Sequence, residues 1–277
     1  MTEQRLYRIA GFALVTADLP RLVGFYRDEL GFDTGYGAQP IEQAEMSILG
    51  LSGAGRRQVV TLGTQALSID QFEQAGRSYP AGSDAASLWF QHLALVVTDI
   101  DEAYSRLRGF SPVSEGGPQQ LPASSGGIMA FKFRDPDGHL LEFLQFPEAK
   151  IPDKWKSRQT SAGQIGLGID HSAISVADVN VSSAFYRSLG LQPGERTFNH
   201  GPAQQRLDDL RDVEVEVVPM IPPDGMPHLE LLAYQVMQRG CGTTLAANDI
   251  AATRIIWHGN HPKLVRDPDG HLQQIIT

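Results

Sequence analysis

Two histidines and two glutamates carry the chemistry most plausible for this chain. His92 in HLALVVTD and His171 in HSAISVAD each open an alternating apolar run that ends seven residues later in an aspartate, Asp99 or Asp178. Glu142 in HLLEFLQF and Glu230 in HLELLAY are flanked by apolar residues on stretches that read as strands. A carboxylate left alone among such neighbours is costly, so it needs a cation, either a metal or a buried arginine. Imidazole and carboxylate together suit a hard or borderline divalent ion. Cys241 is the single cysteine, which removes thiolate clusters and internal disulfides from consideration. It stands between Gly240 and Gly242 with no evident base nearby, so a catalytic thiol is not expected.

The other histidines read differently. His139 and His271 fall inside Asp-Pro-Asp-Gly turns, where capping or solvation is the expected role. His228 lies two residues before Glu230 and so shares its strand face, as a further ligand or a residue supporting one.

The elements that must position these groups are repeated. GFALVTAD from Gly11 ends at Asp18 with the same seven-residue step, which places Gly11, His92 and His171 at one strand position. After Asp18 and Asp178 comes Phe-Tyr-Arg and then Leu-Gly, a helix that stops at Gly31 or Gly190. RDPDGHLLEFLQF and RDPDGHLQQII close two units with a tight turn and a strand, on which Glu142 and Gln274 are equivalent. LSIDQFE around Asp70 and HLELLAY around Glu230 close two others.

Four units follow, roughly 6–75, 88–147, 166–236 and 247–277, the last too short for a helix. The expected domains are 1–150 with two units, a linker at 151–165, and 166–277 with one full and one truncated unit.

Composition bounds the partners. The chain has 277 residues, 42% hydrophobic, with 28 glycines and 17 prolines that punctuate many short strands. A net charge of -9 gives no basic field for a phosphate backbone, so nucleic acid is not an expected partner. No apolar run is long enough to span a bilayer and the first residues lack the order of a signal peptide, so a cytoplasmic protein is expected.

The His-led strand, the Phe-Tyr-Arg helix and the DPDGH closing strand together resemble the vicinal oxygen chelate superfamily of glyoxalases, bleomycin resistance proteins and extradiol dioxygenases, in its two-domain form. The resemblance implies an α+β fold of tandem βαβββ modules forming two open, barrel-like mixed sheets, with the fourth module truncated. It also implies one ligand position on the first and last strand of each unit: Gly11 and Asp70, His92 and Glu142, His171 and Glu230, Arg254 and Gln274.

Two pairings of units are open. Sequential pairing gives two mixed sites, Asp70 with His92 and Glu142, and His171 with Glu230 and Gln274. Inner pairing unites His92, Glu142, His171 and Glu230 and leaves units one and four metal-free; it is favoured because it gathers all four good ligands.

The resemblance further implies one divalent metal (Zn, Ni, Co, Mn or Fe(II)) and a small-molecule substrate with vicinal oxygens. An enediolate or enolate would be stabilised while Glu142 or Glu230 moves a proton, in isomerase, epimerase or lyase chemistry. The alternatives are an Fe(II) extradiol-type ring-cleavage dioxygenase and a metal-free binding protein of the resistance type. Asn199, His200, Gln204 and Arg254 are the expected polar contacts to substrate, and exposed sheet edges suggest a homodimer.

Overall fold

A computed structural model describes residues 4–158, 165–236 and 244–277; Cys241 lies outside these. Unit one consists of β1 (Leu6–Val15), α1 (Leu19–Asp28), β2 (Gln39–Pro40), α2 (Gln43–Ile48), β3 (Gly55–Leu62) and β4 (Gln65–Phe72). Unit two has β5 (Gln91–Val97), α3 (Ile100–Arg106), β6 (Ser111–Pro112), β7 (Gln119–Gln120), β8 (Met129–Arg134) and β9 (Leu140–Gln145). A short helix α4 (Asp153–Lys156) follows. Unit three has β10 (Gly166–Ser175), α5 (Val179–Ser188), β11 (Gln192–Pro193), β12 (Thr197–His200), α6 (Pro202–Asp208), β13 (Glu214–Ile221) and β14 (His228–Tyr234). Unit four has β15 (Arg254–Gly259), β16 (Lys263–Arg266) and β17 (Leu272–Ile276), without a helix among its described residues. No helix among the described residues is long and apolar enough to cross a membrane.

The repeated aspartates explain where the helices begin. Asp18, Asp99 and Asp178 are the N-cap residues of α1, α3 and α5, and their side chains accept from backbone N–H groups of the first turn. Those N–H groups have no partner within the helix, which is why a short carboxylate recurs at this place.

Two open sheets result, and units pair inner with inner. The ten-stranded sheet has the main order β11-β13-β14-β10-β5-β9-β8-β6, and β5 meets β10 antiparallel at the join of units two and three. The seven-stranded sheet runs β16-β17-β15-β1-β4-β3-β2, with β1 against β15 joining units one and four. Each sheet therefore draws strands from both sides of the 151–165 segment, and the contiguous halves 1–150 and 166–277 do not coincide with the sheets.

Helix and turn motifs latch the two sheets together. Tyr26 of the first Phe-Tyr-Arg donates its hydroxyl to Asp135 in the turn of unit two, at 3.2 Å. Tyr186 of the second donates to Asp267 in the turn of unit four, at 3.0 Å, and accepts from Gln273. Both tyrosines are fully buried. Removing one hydroxyl strands a buried partner, which costs about 1–3 kcal/mol. Tyr186→Phe is accordingly expected to lower the free energy of chemical unfolding by that amount, and an unchanged unfolding free energy would contradict the latch.

Period-two alternation divides the faces of the ten-stranded sheet. Leu93, Leu141, Phe143, Leu229 and Leu231 join the main core with Phe131 and Phe133. The residues between them, His92, Glu142 and Glu230, point the other way, into a cleft.

Candidate functional site

The join of units two and three brings the predicted ligands together. Across β5 and β10, His92 pairs with Ala173 and His171 with Ala94. Ala94 is in turn level with Glu142 on β9, and Ala173 with Glu230 on β14. Small alanines separate the four large polar side chains, so all four rise from one patch of sheet. His92 Nε2 lies 3.0 Å from Glu142 Oε2, and His171 Nε2 lies 3.9 Å from the same oxygen and 3.5 Å from Glu230 Oε2. The two imidazole rings are 5.6 Å apart, centre to centre. They open into a cleft of about 260 Å³.

Nitrogens in this patch lack the partners that buried groups normally have. His92 makes no hydrogen bond from either ring nitrogen, since its approach to Glu142 is badly aligned, and His171 Nε2 makes none. Orphaned imidazole nitrogens beside carboxylate oxygens are what a divalent cation would satisfy. The donors of His92, Glu142 and His171 all lie within 4.8 Å of one another, and the residues fit such an ion.

The electrostatics are uneven. Burial opposes charge on Glu142, but Lys132, His92 and His171 outweigh it and hold its pKa down to about 2. Burial lowers the pKa of His92, with Glu142 only partly compensating. Burial also opposes charge on His171, yet Glu230, Asp170 and Glu142 push it up to about 9. Burial works against ionisation of Glu230 too, but His171 and His228 bring it below its ordinary value.

Not every expected contact reaches the cleft. Asn199 and Gln204 line it, Asn199 accepting from Ser125 and Gln204 donating to Asp208 at 2.6 Å. His200 is exposed and does not line it, because on β12 it alternates to the side opposite Asn199. His228 is buried beside Glu230, its Nε2 3.3 Å from Oε1. His139 and His271 are buried within their turns: His139 meets Asp135 at 2.8 Å, and His271 Nε2 donates to the carbonyl of Ser175. They hold turns, and neither is solvated.

Arg254 belongs to the other sheet, where it supplies an internal cation. Its buried guanidinium pairs with Asp70 and donates to Gln274 and to the carbonyl of Ala247. Arg57 joins Asp70 at 2.6 Å and Glu45 at 2.8 Å, and Gln274 donates to Glu45. Two arginines thus meet two carboxylates in the place where this sheet's ligands would stand. Gly11 offers no side chain, and a Cβ there would lie 2.7 Å from the carbonyl oxygen of Ala66.

Asp70 is also not the true counterpart of Glu230. Gly11 and Asp70 are as far apart in sequence as His171 and Glu230, but β1 pairs Ala13 with Ser68 where β10 pairs Ala173 with Glu230. The register is slipped by two, so Ser68 holds the ligand position and Asp70 reaches onward to Arg254.

Sequence reasoning missed Lys132, Asp208, Tyr234 and Asp170. Lys132 is buried on β8 directly across from Glu142, and its ammonium donates to Asp208 at 2.6 Å. Tyr234 and Gln204 donate to the other Asp208 oxygen. A lysine alternating with phenylalanines in AFKFR was the available signal for the first. Nothing local marks Asp208.

Residues 8–143 match the sequence family described as the Glyoxalase/Bleomycin resistance protein/Dioxygenase superfamily. A protein of Salmonella typhimurium named Virulence protein STM3117 is 28% identical over 144 residues, which are 50% of this chain and 84% of that one. Among solved structures, glyoxalase I from Zea mays superposes with a TM-score of 0.58 at 14% identity, covering 97% of this chain and 91% of that chain. A Bacillus subtilis protein provisionally named a dioxygenase reaches 0.57 at 11% identity, covering 98% and 85%. At these identities the structural likeness speaks for the fold.

Proposed function

We propose, from the match of residues 8–143 to the Glyoxalase/Bleomycin resistance protein/Dioxygenase superfamily, that the chain is a divalent-metal-dependent enzyme of that superfamily acting on a small molecule with vicinal oxygens. The reading is isomerase, epimerase or lyase chemistry of the glyoxalase type. One observation carries it: His92, Glu142, His171 and Glu230 face one another in a single cleft with imidazole nitrogens left unpartnered.

His92, His171, Glu142 and Glu230 would hold the ion, drawn from Zn, Ni, Co, Mn or Fe(II). A bound divalent cation supplies Lewis-acid stabilisation of negative charge developing on a substrate oxygen. The chain's own residues divide the remaining work. Glu142, held at a pKa of about 2 beneath Lys132, is a poor base and serves as a fixed negative charge. Glu230 lies nearer the mouth, with its side chain 20% exposed, and His228 stands within reach of Oε1. Glu230 takes the proton from the substrate carbon, and His228 accepts its hydrogen bond or passes the proton on. Asn199 and Gln204 orient the substrate, and Leu121, Leu144 and Leu232 exclude water around the reacting carbon.

Solvent-deuterium exchange at the substrate carbon tests this reading. Glu230→Gln is expected to slow exchange by about 100-fold or more, within the range for a general base. Unchanged exchange in both Glu230→Gln and Glu142→Gln would sink the proposal. A second reading draws on the compact group His92, Glu142 and His171, which has the composition of the two-His, one-carboxylate triad of Fe(II) oxygenases. Oxygen uptake with a catechol panel after iron reconstitution separates the two.

A further inference from the structure

Building on the metal reading above, we propose that Asp170 is the positioning residue of the site, held by Trp155 and Lys154 so that His171 presents Nε2 to the cleft. Neighbouring residues on a regular strand point to opposite faces, so Asp170 and His171 should not share one. They do because β10 is irregular here. Its pairing with β5 skips from Ile169 to His171, leaving Asp170 as the extra residue of a bulge. The phase slip is visible in the core, where Ile169 and Ile174 both pack although five residues apart.

The consequence is a short chain of hydrogen bonds behind the ligand. His171 Nδ1 lies 3.1 Å from Asp170 Oδ2. A carboxylate oxygen accepts from a ring N–H, so Nδ1 keeps its proton against Asp170 and Nε2 is the nitrogen that would give up its proton to a metal. Asp170 Oδ1 accepts from Trp155 Nε1 at 3.0 Å and from Lys154 Nζ at 2.9 Å. Both donors sit on α4, in the segment that joins the two halves of the sequence. Fixing the tautomer and ring plane of a ligating histidine through its second nitrogen is a general device of metal sites.

Comparison within the molecule supports the assignment. The same bulge occurs in β1, whose pairing with β15 skips from Ile9 to Gly11. There the extra residue is Ala10 and the next is Gly11, so the sheet without a histidine at this position also lacks the carboxylate beside it.

Titration with Zn²⁺ alone tests the assignment. Asp170→Ala is expected to weaken Zn²⁺ binding by about 10- to 100-fold, with Asp170→Asn and Trp155→Phe losing less in the same direction. These two milder variants keep the test open where Asp170→Ala fails to fold. Imidazole ¹⁵N spectra of the Zn²⁺-loaded protein should show His171 protonated at Nδ1 and metal-bound at Nε2, a pattern that a merely structural role would not set. Equal affinity in all three variants, or metal on His171 Nδ1, overturns the proposal alone. A wild-type protein that binds no Zn²⁺ overturns the underlying metal reading and this proposal with it.

Discussion

Purified His171→Ala should retain far less metal than wild type, with affinity lower by about two to three powers of ten. A four-ligand site of this kind would store roughly 10–16 kcal/mol of binding, hence about 2.5–4 kcal/mol for each ligand. His171 is expected to suffer most because it is the central member: its Nε2 lies within 4 Å of both Glu142 and Glu230. His92→Ala should follow closely, since His92 approaches Glu142 alone. Metal content by elemental analysis and affinity by competition with a chelating dye give the result. Stoichiometric metal retained by both variants would remove the site as drawn, while leaving the two-sheet fold intact.

Arg254→Met should be the most destabilising single change in the other sheet, at about 3–5 kcal/mol. The guanidinium is fully buried, and its loss removes one of the two arginines that meet the buried Asp70 and leaves the Gln274 oxygen without its donor. For a chain of this size that corresponds to a melting point lower by roughly 6–20 °C. Adding Asp70→Leu to Arg254→Met should recover part of the loss, because an apolar pair tolerates burial better than a buried carboxylate that has lost one of its two arginines, and Arg57 keeps Glu45 as its partner. A melting point unmoved by Arg254→Met would show that the internal cation is dispensable.

The same cluster carries an acid dependence. Burial works against ionised Glu45, but Arg57 and Gln274 outweigh it and lower its folded pKa below the ordinary value near 4.5. The group therefore contributes stability that is present above pH 4.5 and is lost as the pH falls through the depressed value. Arg57→Met should flatten that acid limb.

The two sheets spend the same repeat differently. In one, two histidines and two glutamates converge on a cleft; in the other, arginines fill the equivalent place from within. A carboxylate on a core-facing strand demands a cation in both cases, and the sequence shows this demand without showing which cation meets it. Asp70 illustrates the point: its apolar neighbours signalled a buried charge, and its partner proved to be Arg254, 184 residues away.

Repeats, the strand-then-helix order within a unit and the strand positions of His92, Glu142, His171 and Glu230 were readable in the amino-acid sequence. They depend on periodicity and spacing within a unit, which local backbone geometry translates directly into faces and caps. Which units share a sheet was settled only by the tertiary structure, because strand edges choose partners over distances that spacing does not encode. The slip that exchanges Asp70 for Ser68, the bulge that turns Asp170 toward His171, and the meeting of Lys132 with Asp208 have the same origin. Each arises where two distant stretches are forced into register, and there a shift of one or two residues decides which side chains meet.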